Sequence, residues 1–358
     1  MKPTVMIRPA EYDSCQPVID EIFAFFDPPL QGKKVLIKPN VLRDAKPEES
    51  VTTHPAILKA VIRAVEARHP AAIIVGDNPG AASYGANQKS FEVSGLLEAA
   101  GEYYENLGGR VRELALDSQY IPRAVVSEAI LEADYIINLP KFKTHGLTGL
   151  SGAIKNCYGY LPGAQKANLH FTAGNPYDFP EALLDIFSIR PPDLAIVDGV
   201  VAMEGNGPVS KDLRHLGRIL AGNDMVAVDA VIGTMMNFAP GAIRVTELAH
   251  ARGLGEKDLD QIQIDGEVLV MDDYKHPEGY MSPREGGPDD FWRRLRSQRP
   301  VVTESLCIRC GTCVNECPAH AITMPDYPVV DVDKCIVCFC CQEKCPTRAI
   351  NLKDATPS

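Results

Sequence analysis

Eight of the chain's 11 cysteines fall into two matching runs. The first is Cys307-x2-Cys310-x2-Cys313-x3-Cys317-Pro318, the second Cys335-x2-Cys338-x2-Cys341-x3-Cys345-Pro346. Thiolates at this spacing suit an iron–sulfur cubane. Three from one tight run cover one face, and the fourth cysteine of each run ligates the other cluster. The spacing therefore predicts two 4Fe–4S clusters with crossed ligation. Cys307, Cys310, Cys313 and Cys345 would hold one, and Cys335, Cys338, Cys341 and Cys317 the other. Zinc sites use CxxC or Cys/His pairs rather than triads followed by Cys-Pro, and disulfides need an oxidising compartment. Cys340 is a surplus thiol, and register assigns ligation to its neighbour Cys341.

A second constellation lies upstream. Asn138 through Gly159 carries Lys141, Lys143, Lys155, His145 and four glycines within 22 residues. With Lys38 it forms a local cationic group in a chain of formal net charge −11. Lysine is a compact point charge suited to phosphate or carboxylate, and glycine lets backbone approach a ligand. The expectation is a site for an anionic small molecule or cofactor. Lys38, Asn40, Asp77, Lys141, Lys143 and Asn156 are the candidate binding residues. His145 and Lys155 are the candidate catalytic ones, with His145 the first candidate proton donor. The bland alternative is a solvated loop with glycines at its turns. His145 and His170 also suit structural roles. Cys157 reads either as a thiol activated by Lys155 or as a buried inert one. Asp77, Asp198 and Asp229 read as cation ligands or as ordinary strand-end and helix-cap carboxylates. No Walker A loop is present and no GxGxxG opens a helix after the first strand, so no nucleotide domain is predicted. An additional metal or flavin stays open.

The elements that must position these residues alternate. Apolar runs at Thr4–Ile7, Lys34–Lys38, Ala72–Val75, Val111–Leu116, Tyr135–Leu139, Leu194–Val197 and Gln261–Ile264 predict strands. Helical periodicity fills Pro17–Phe26, Ala56–Arg68, Phe91–Gly101 and Asp224–Met236, with Thr52 or Thr53 as N-cap and Pro55 in the first turn of the second. Strands alternating with helices imply crossover units and a mainly parallel sheet sandwiched by helices, an α/β fold. Unalternated apolar runs suit strands covered on both faces. Several strands end directly in polar residues, at Lys38-Pro39-Asn40, Asp77-Asn78-Pro79-Gly80, Asn138 through His145, and Asp198-Gly199. In open parallel sheets the ligand crevice lies beyond those ends. Gly205-Asn206-Gly207-Pro208 is a turn by composition. Residues 1–272 thus read as the α/β domain and 273–300 as a Pro- and Gly-rich linker anchored by Phe291 and Trp292. Residues 301–358 read as a small α+β cluster module.

Composition is that of a globular protein, with 45% hydrophobic and 23% charged residues. An acidic chain without a basic run is a poor nucleic-acid partner. No apolar run of spanning length occurs, and the N-terminal residues carry no apolar signal core. Both point to a cytoplasmic protein with no membrane span.

The C-terminal segment repeats itself, Cys317-Pro318-Ala319-His320-Ala321-Ile322 being echoed by Cys345-Pro346-Thr347-Arg348-Ala349-Ile350. It resembles the bacterial two-cluster 4Fe–4S ferredoxin fold. Upstream, Lys38-Pro39-Asn40, Thr53-His54-Pro55 and Gly76-Asp77-x2-Gly80 combine with Leu139-Pro140-Lys141-x-Lys143-Thr144-His145, Ser151-Gly152-x2-Lys155-Asn156, Asp198-Gly199 and Gly205-Asn206-Gly207-Pro208. Together they resemble the family known as domain of unknown function 362, members of which often carry a ferredoxin-like tail. The resemblance implies a fused redox protein and supplies no reaction. The leading expectation is an iron–sulfur oxidoreductase passing electrons from two clusters, filled by a redox protein partner, to a small anionic ligand. The alternative is a non-enzymatic electron carrier or maturation partner whose α/β domain docks another protein.

Overall fold

The computed structural model describes residues 2–80, 86–173, 177–277, 280 and 298–354. Its strands are β1 (Thr4–Pro9), β2 (Lys34–Pro39), β3 (Ala72–Val75), β4 (Val111–Ala115), β5 (Arg123–Ser127), β6 (Tyr135–Leu139), β7 (Lys141–His145) and β8 (Gly149–Leu150). They continue with β9 (Leu194–Met203), β10 (Leu213–Gly222), β11 (Gln263–Asp265), β12 (Gln298–Val302), β13 (Ile322–Thr323), β14 (Val329–Val330) and β15 (Ile350–Asp354).

Among the described residues, nine strands form one mixed sheet of order β11-β1-β10-β9-β6-β2-β3, with β7 beside β9 and β8 beside β7. The β3, β2, β6 and β9 neighbours are parallel, whereas β10 runs antiparallel to both β9 and β1. Side chains alternate between two apolar layers. Val35 and Ile37 of β2 and Ile196 of β9 face one core, while Leu36, Ala195 and Val197 face the other. This both-sided burial is why the strands read as continuous apolar runs. The helices Gln16–Phe26 and Pro55–Glu66 cover one face with Ile19, Phe23, Ile57 and Val61. Asp178–Phe187 and Met225–Met235 cover the other. The fold is therefore α/β, as the alternation implied.

Two local elements differ from what their sequences predict. Pro55 does open its helix, but the N-cap is His54, whose Nδ1 accepts from Ala56 N at 3.2 Å. Thr53 instead ties two strand ends together, accepting from Asn40 N at 2.8 Å and donating to Leu139 O at 2.6 Å. The strand expected over Val111–Leu116 forms, but pairs only with β5 in a separate hairpin.

The stretch expected as linker starts as packed chain. Tyr274 is buried and donates to Met203 O at 2.9 Å, and Gly205 N donates to Lys275 O at 2.6 Å. Phe291 and Trp292 lie outside the described residues. The C-terminal lobe opens with β12, which pairs antiparallel with β15 and brings its two ends together. Between them, two short helices, Thr312–Asn315 and Cys340–Glu343, each contain the third cysteine of one run, Cys313 and Cys341. None of the described helices is long and apolar enough to cross a membrane.

Candidate functional site

The two cysteine runs fold into two separate small cavities. One is lined by Cys307, Cys310, Cys313 and Cys345, together with Pro346. The other is lined by Cys317, Cys335, Cys338 and Cys341, with Pro318 and the surplus Cys340. Each cavity therefore draws three thiols from one run and the fourth from the other. Backbone amides already point at the fourth thiols: Ala321 N donates to Cys317 Sγ at 3.3 Å, and Ala349 N donates to Cys345 Sγ at 3.1 Å. Such N–H···S bonds favour a thiolate. The donor set, four run cysteines around a small, mainly apolar pocket twice over, fits a cubane in each.

A third cavity lies where the C-terminal lobe meets the strand ends of the large lobe. It encloses about 60 Å³. Asn40 and Asp77 reach it from the ends of β2 and β3, and Lys155 and Asn156 from the helix Gly152–Asn156. Lys166 and His170 enter from the helix Gly163–Ala173. Cys340, Glu343 and Lys344 close it from the cluster lobe. Cys340 thus walls both this cavity and the one around Cys335, Cys338 and Cys341.

Local sequence explains how these groups are held. Pro39 ends β2, and Lys38 just before it, fully buried, sets its Nζ 2.7 Å from Asp77 Oδ1. The other Asp77 oxygen accepts from Val41 N at 2.8 Å. Gly159 is obligatory above this pair, since a Cβ there would lie 1.9 Å from Asp77 Oδ1. Asn138, at the end of β6, donates to Ala153 O at 2.9 Å and accepts from Asn156 at 2.7 Å. Asp229 holds the start of the same helix by accepting from Ile154 N at 3.0 Å and from Ala153 N. Burial lifts that carboxyl to about 7, with the two amides opposing. Gly152, at φ +50, makes room for it.

Three ammonium groups, Lys155, Lys166 and Lys344, and three carboxylates, Asp77, Glu316 and Glu343, line the third cavity. Lys155 makes no ion pair among the described residues. Its Nζ lies over the rings of Tyr158, at 5.7 Å, and Phe179, at 6.0 Å. Burial lowers its pKa, and Glu343 opposes the shift. Lys166 is 6% exposed and donates to Asn78 O. Burial brings its ammonium down from 10.5 to about 7, with Asp77 opposing. His170 is equally buried, stacks on Phe179 at 4.8 Å, and has no hydrogen-bond partner at Nδ1. Burial depresses it to about 4. Asn40 Oδ1 likewise lacks a partner. An unpaired buried polar group costs stability unless a ligand or water meets it.

The remaining sequence candidates divide. Lys141 does not reach the cavity. Its Nζ sits 2.9 Å from Asp198 Oδ2 and 2.8 Å from the Tyr12 hydroxyl, in a network completed by His54 N. Lys143 donates to Val51 O at 2.8 Å and does not line the cavity, and burial with the nearby Lys155 and Lys141 charges pushes it well below its usual range. His145 is also off the lining. Its Nδ1 accepts from Leu147 N, leaving Nε2 3.1 Å from Glu343 Oε1 across the lobe boundary. Burial, then Lys155, lowers it to about 4. Burial opposes ionisation of Glu343, but His145, Lys155 and His170 outweigh it and hold the carboxylate. The expected four-lysine cluster thus separates: of the four only Lys155 lines the cavity, Lys38 lies behind it paired to Asp77, and Lys141 and Lys143 point elsewhere. The three aspartates serve separate partners, so they form no common cation site. Cys157 is fully buried, its thiol pushed up to about 12 by burial, and is inert. Lys166 was missed by sequence reasoning. It stands one helical turn before His170, a spacing that puts both on one face.

The lobes touch at several other points. Phe339 packs against Gly146, where a Cβ would meet its ring at 2.9 Å. Arg348 lies 3.3 Å from Glu49, which Arg43 also holds at 2.9 Å. The turn Gly205–Pro208 supports the same corner, Gly146 N donating to Gly207 O at 3.0 Å.

Comparison with known proteins follows the same division. Residues 35–234 match the family described as domain of unknown function (DUF362), and residues 300–323 match a 4Fe–4S binding domain. A thylakoid-associated protein of Synechocystis sp. is 34% identical over 275 residues, covering 74% of this chain and 82% of that protein. Two solved structures are more distant. A Thermotoga maritima protein aligns at TM-score 0.36 and 12% identity, over 57% of this chain and 53% of that one. The lactate racemase apoprotein of Thermoanaerobacterium thermosaccharolyticum aligns at TM-score 0.38 and 13% identity, over 70% and 56%. The chain spans little more than half the length of either structure. From the family match and the Synechocystis relative together, the chain is a member of the DUF362 family that also carries a 4Fe–4S binding domain, the part of it suited to electron transfer.

Proposed function

We propose that the protein is an iron–sulfur oxidoreductase that delivers electrons to a small anionic acceptor held in the cavity between its lobes. Two 4Fe–4S clusters would be held by Cys307, Cys310, Cys313 and Cys345, and by Cys335, Cys338, Cys341 and Cys317. When bound, cubanes supply one-electron chemistry over a potential range of about −700 to +450 mV. The reading divides the chain into a large lobe and a cluster lobe that opens with β12, tied into one molecule. Cytoplasmic placement goes with it, because a reducing compartment preserves thiolate ligands.

The observation that carries the proposal is the shared wall at Cys340, which puts a cavity lined by Lys155 and Lys166 directly against one cysteine cavity. In this reading Lys155 and Lys166 attract and orient the acceptor. Tyr158, Phe179 and the cluster lobe exclude water, strengthening each charge interaction. His145 lies off the cavity lining and so is not placed as the proton donor expected of it, and Lys166, at about 7, is the lining group suited to give up a proton near neutrality. A simple carrier has no need of buried, charge-bearing side chains at such a boundary, which favours the enzyme over the docking alternative.

The test is anaerobic preparation followed by iron and sulfide analysis. About eight irons per chain are expected for two cubanes. The dithionite-reduced protein should then be reoxidised by small anionic acceptors in wild type and not in Lys155→Met. Zinc in place of iron, or reoxidation indifferent to Lys155, refutes the proposal.

A further inference from the structure

Resting on the proposed pair of cubane sites, we infer that electrons enter the protein at one of them only. The port is formed by Ile308, Arg309, Cys310 and Gly311. Its partner is a protein carrier whose redox centre lies under an apolar surface edged by a carboxylate. The site around Cys335, Cys338, Cys341 and Cys317 comes second, next to the interlobe cavity.

The two cysteine runs are one motif built twice, and their backbones agree. Arg309 and Val337, each just before the second cysteine of its run, sit at φ +56 and +53. Gly311 and Phe339, each just after it, sit at φ +75 and +67. The short helices Thr312–Asn315 and Cys340–Glu343 follow at the same place. With the backbone shared, the side chains reveal how each copy is used.

One copy is occupied by the protein itself. Val337 and Phe339 are buried in the large apolar core that includes Phe142, Leu147 and Leu150 of the other lobe. Phe339 lies against Gly146, and Cys338 beside it is buried. This face of the module is closed by its own chain.

The equivalent face of the other copy is open. Ile308 is 64% exposed, the most exposed large apolar side chain among the described residues, and Cys310 is exposed two residues on. Leu306, just before Cys307, and Val329, just after the cavity-lining Pro328, are exposed as well. Grouped apolar exposure marks a contact surface, and redox encounters need only a small one. Gly311 stands where the sister run has Phe339. Packing does not demand the glycine, since a Cβ there would find its nearest neighbour, Met324 Cε, at 3.6 Å. Its effect is to leave Cys310 uncovered. Arg309 stands where the sister run has Val337, its guanidinium 5.3 Å from the Tyr327 ring centre. Cysteines aside, it is the one ionisable side chain among the described residues lining this cavity, which selects a carboxylate opposite it. Each encounter moves one electron: the carrier is oxidised by one, the protein is reduced by one, and no bond forms or breaks.

The experiment is stopped-flow reduction of the anaerobic holoprotein by an acidic flavodoxin, photoreduced to its hydroquinone, with dithionite as the small reductant for comparison. Gly311→Phe, which copies the sister run, and Arg309→Glu should each slow reduction by flavodoxin about tenfold or more at unchanged iron content. Both should change the dithionite rate far less, and Arg309→Lys should keep most of the flavodoxin rate. If Gly311→Phe loses iron, Ile308→Asp, at an exposed position, takes its place. Location is read without turnover, by electron paramagnetic resonance with a freely diffusing dysprosium chelate. The signal kept by Cys335→Ser should relax faster with the chelate than the signal kept by Cys307→Ser. Should a serine variant lose both clusters, the port variants decide. Equal relaxation overturns the difference between the two copies. A flavodoxin rate indifferent to Gly311→Phe overturns the port, and one indifferent to Arg309→Glu overturns the acidic partner. Reduction of wild type by dithionite but not by flavodoxin overturns the protein carrier. None of these measurements contains an acceptor, so iron content and reoxidation test the oxidoreductase reading separately.

Discussion

The buried pair beneath the cavity gives the sharpest energetic prediction. Lys38 Nζ and Asp77 Oδ1 are 2.7 Å apart with side chains 0% and 3% exposed. Among the described residues the ammonium's one other hydrogen bond is to Pro39 O at 3.4 Å, so Asp77→Asn leaves a charge almost wholly uncompensated. Nor can the amide adapt. If its oxygen keeps the bond to Val41 N, its NH2 faces the ammonium, donor against donor. Removing one partner of a buried ion pair costs about 3–5 kcal/mol. Asp77→Asn and Lys38→Met should each fall in that range. The double variant Lys38→Met/Asp77→Leu should be less destabilised than either single one, since apolar replacement of a whole buried pair is often close to neutral. Urea unfolding of the anaerobic holoprotein, followed by circular dichroism at matched iron content, measures all four corners of the cycle. Additive costs, with no coupling between the sites, would refute the claim that each group is needed chiefly to neutralise the other.

Three further outcomes are expected. Under crossed ligation, Cys317→Ser should leave the same surviving cluster, by electron paramagnetic resonance, as Cys335→Ser, and Cys345→Ser the same as Cys307→Ser. A Cys317→Ser spectrum matching that of Cys307→Ser refutes the crossing. Lys166, lowered from 10.5 to about 7 in the folded protein, binds fewer protons folded than unfolded between those values. Stability should therefore rise with pH from about 7 to about 10, by up to ~1.4 kcal/mol per unit relative to Lys166→Met. A flat difference between the two proteins, read from urea midpoints at pH 7 to 9.5, counts against a buried ammonium there. Gly159→Ala places a Cβ 1.9 Å from Asp77 Oδ1 and 2.6 Å from Lys38 Nζ and should cost ~1–3 kcal/mol or more. An unchanged melting temperature would show that the loop yields freely.

The sequence made the sheet legible wherever a strand was buried on both faces, as at Val35–Ile37 and Ile136–Leu139. It concealed β10, which reads as polar through Arg214, His215 and Arg218. Those residues sit where the ladder with β9 shifts register between His215 and Arg218, beside Gly217 at φ +60. The cysteine cavities were legible because ligand spacing is local. The cationic grouping was legible only in part, because its geometry is not. Pro140 ends β6, and the chain re-enters the sheet as β7 beside β9, with Lys141 paired to Asp198 in register. No local pattern announces that a lysine three residues past Asn138 turns to Tyr12, 129 residues away. Lys166 was hidden for the same reason, since its partner carbonyl at Asn78 is 88 residues upstream.

The shared boundary at Cys340, Glu343 and Lys344 has an engineering consequence. A ferredoxin unit normally behaves as a portable cartridge, and grafting an unrelated one here would keep the redox centres. It would also strip the ceiling from the chamber, since Glu343, Lys344 and Phe339 meet His145, Gly80 and Gly146 of the other lobe. Tail and body are complementary halves of one container, and substitutions on either side of that seam must be chosen together.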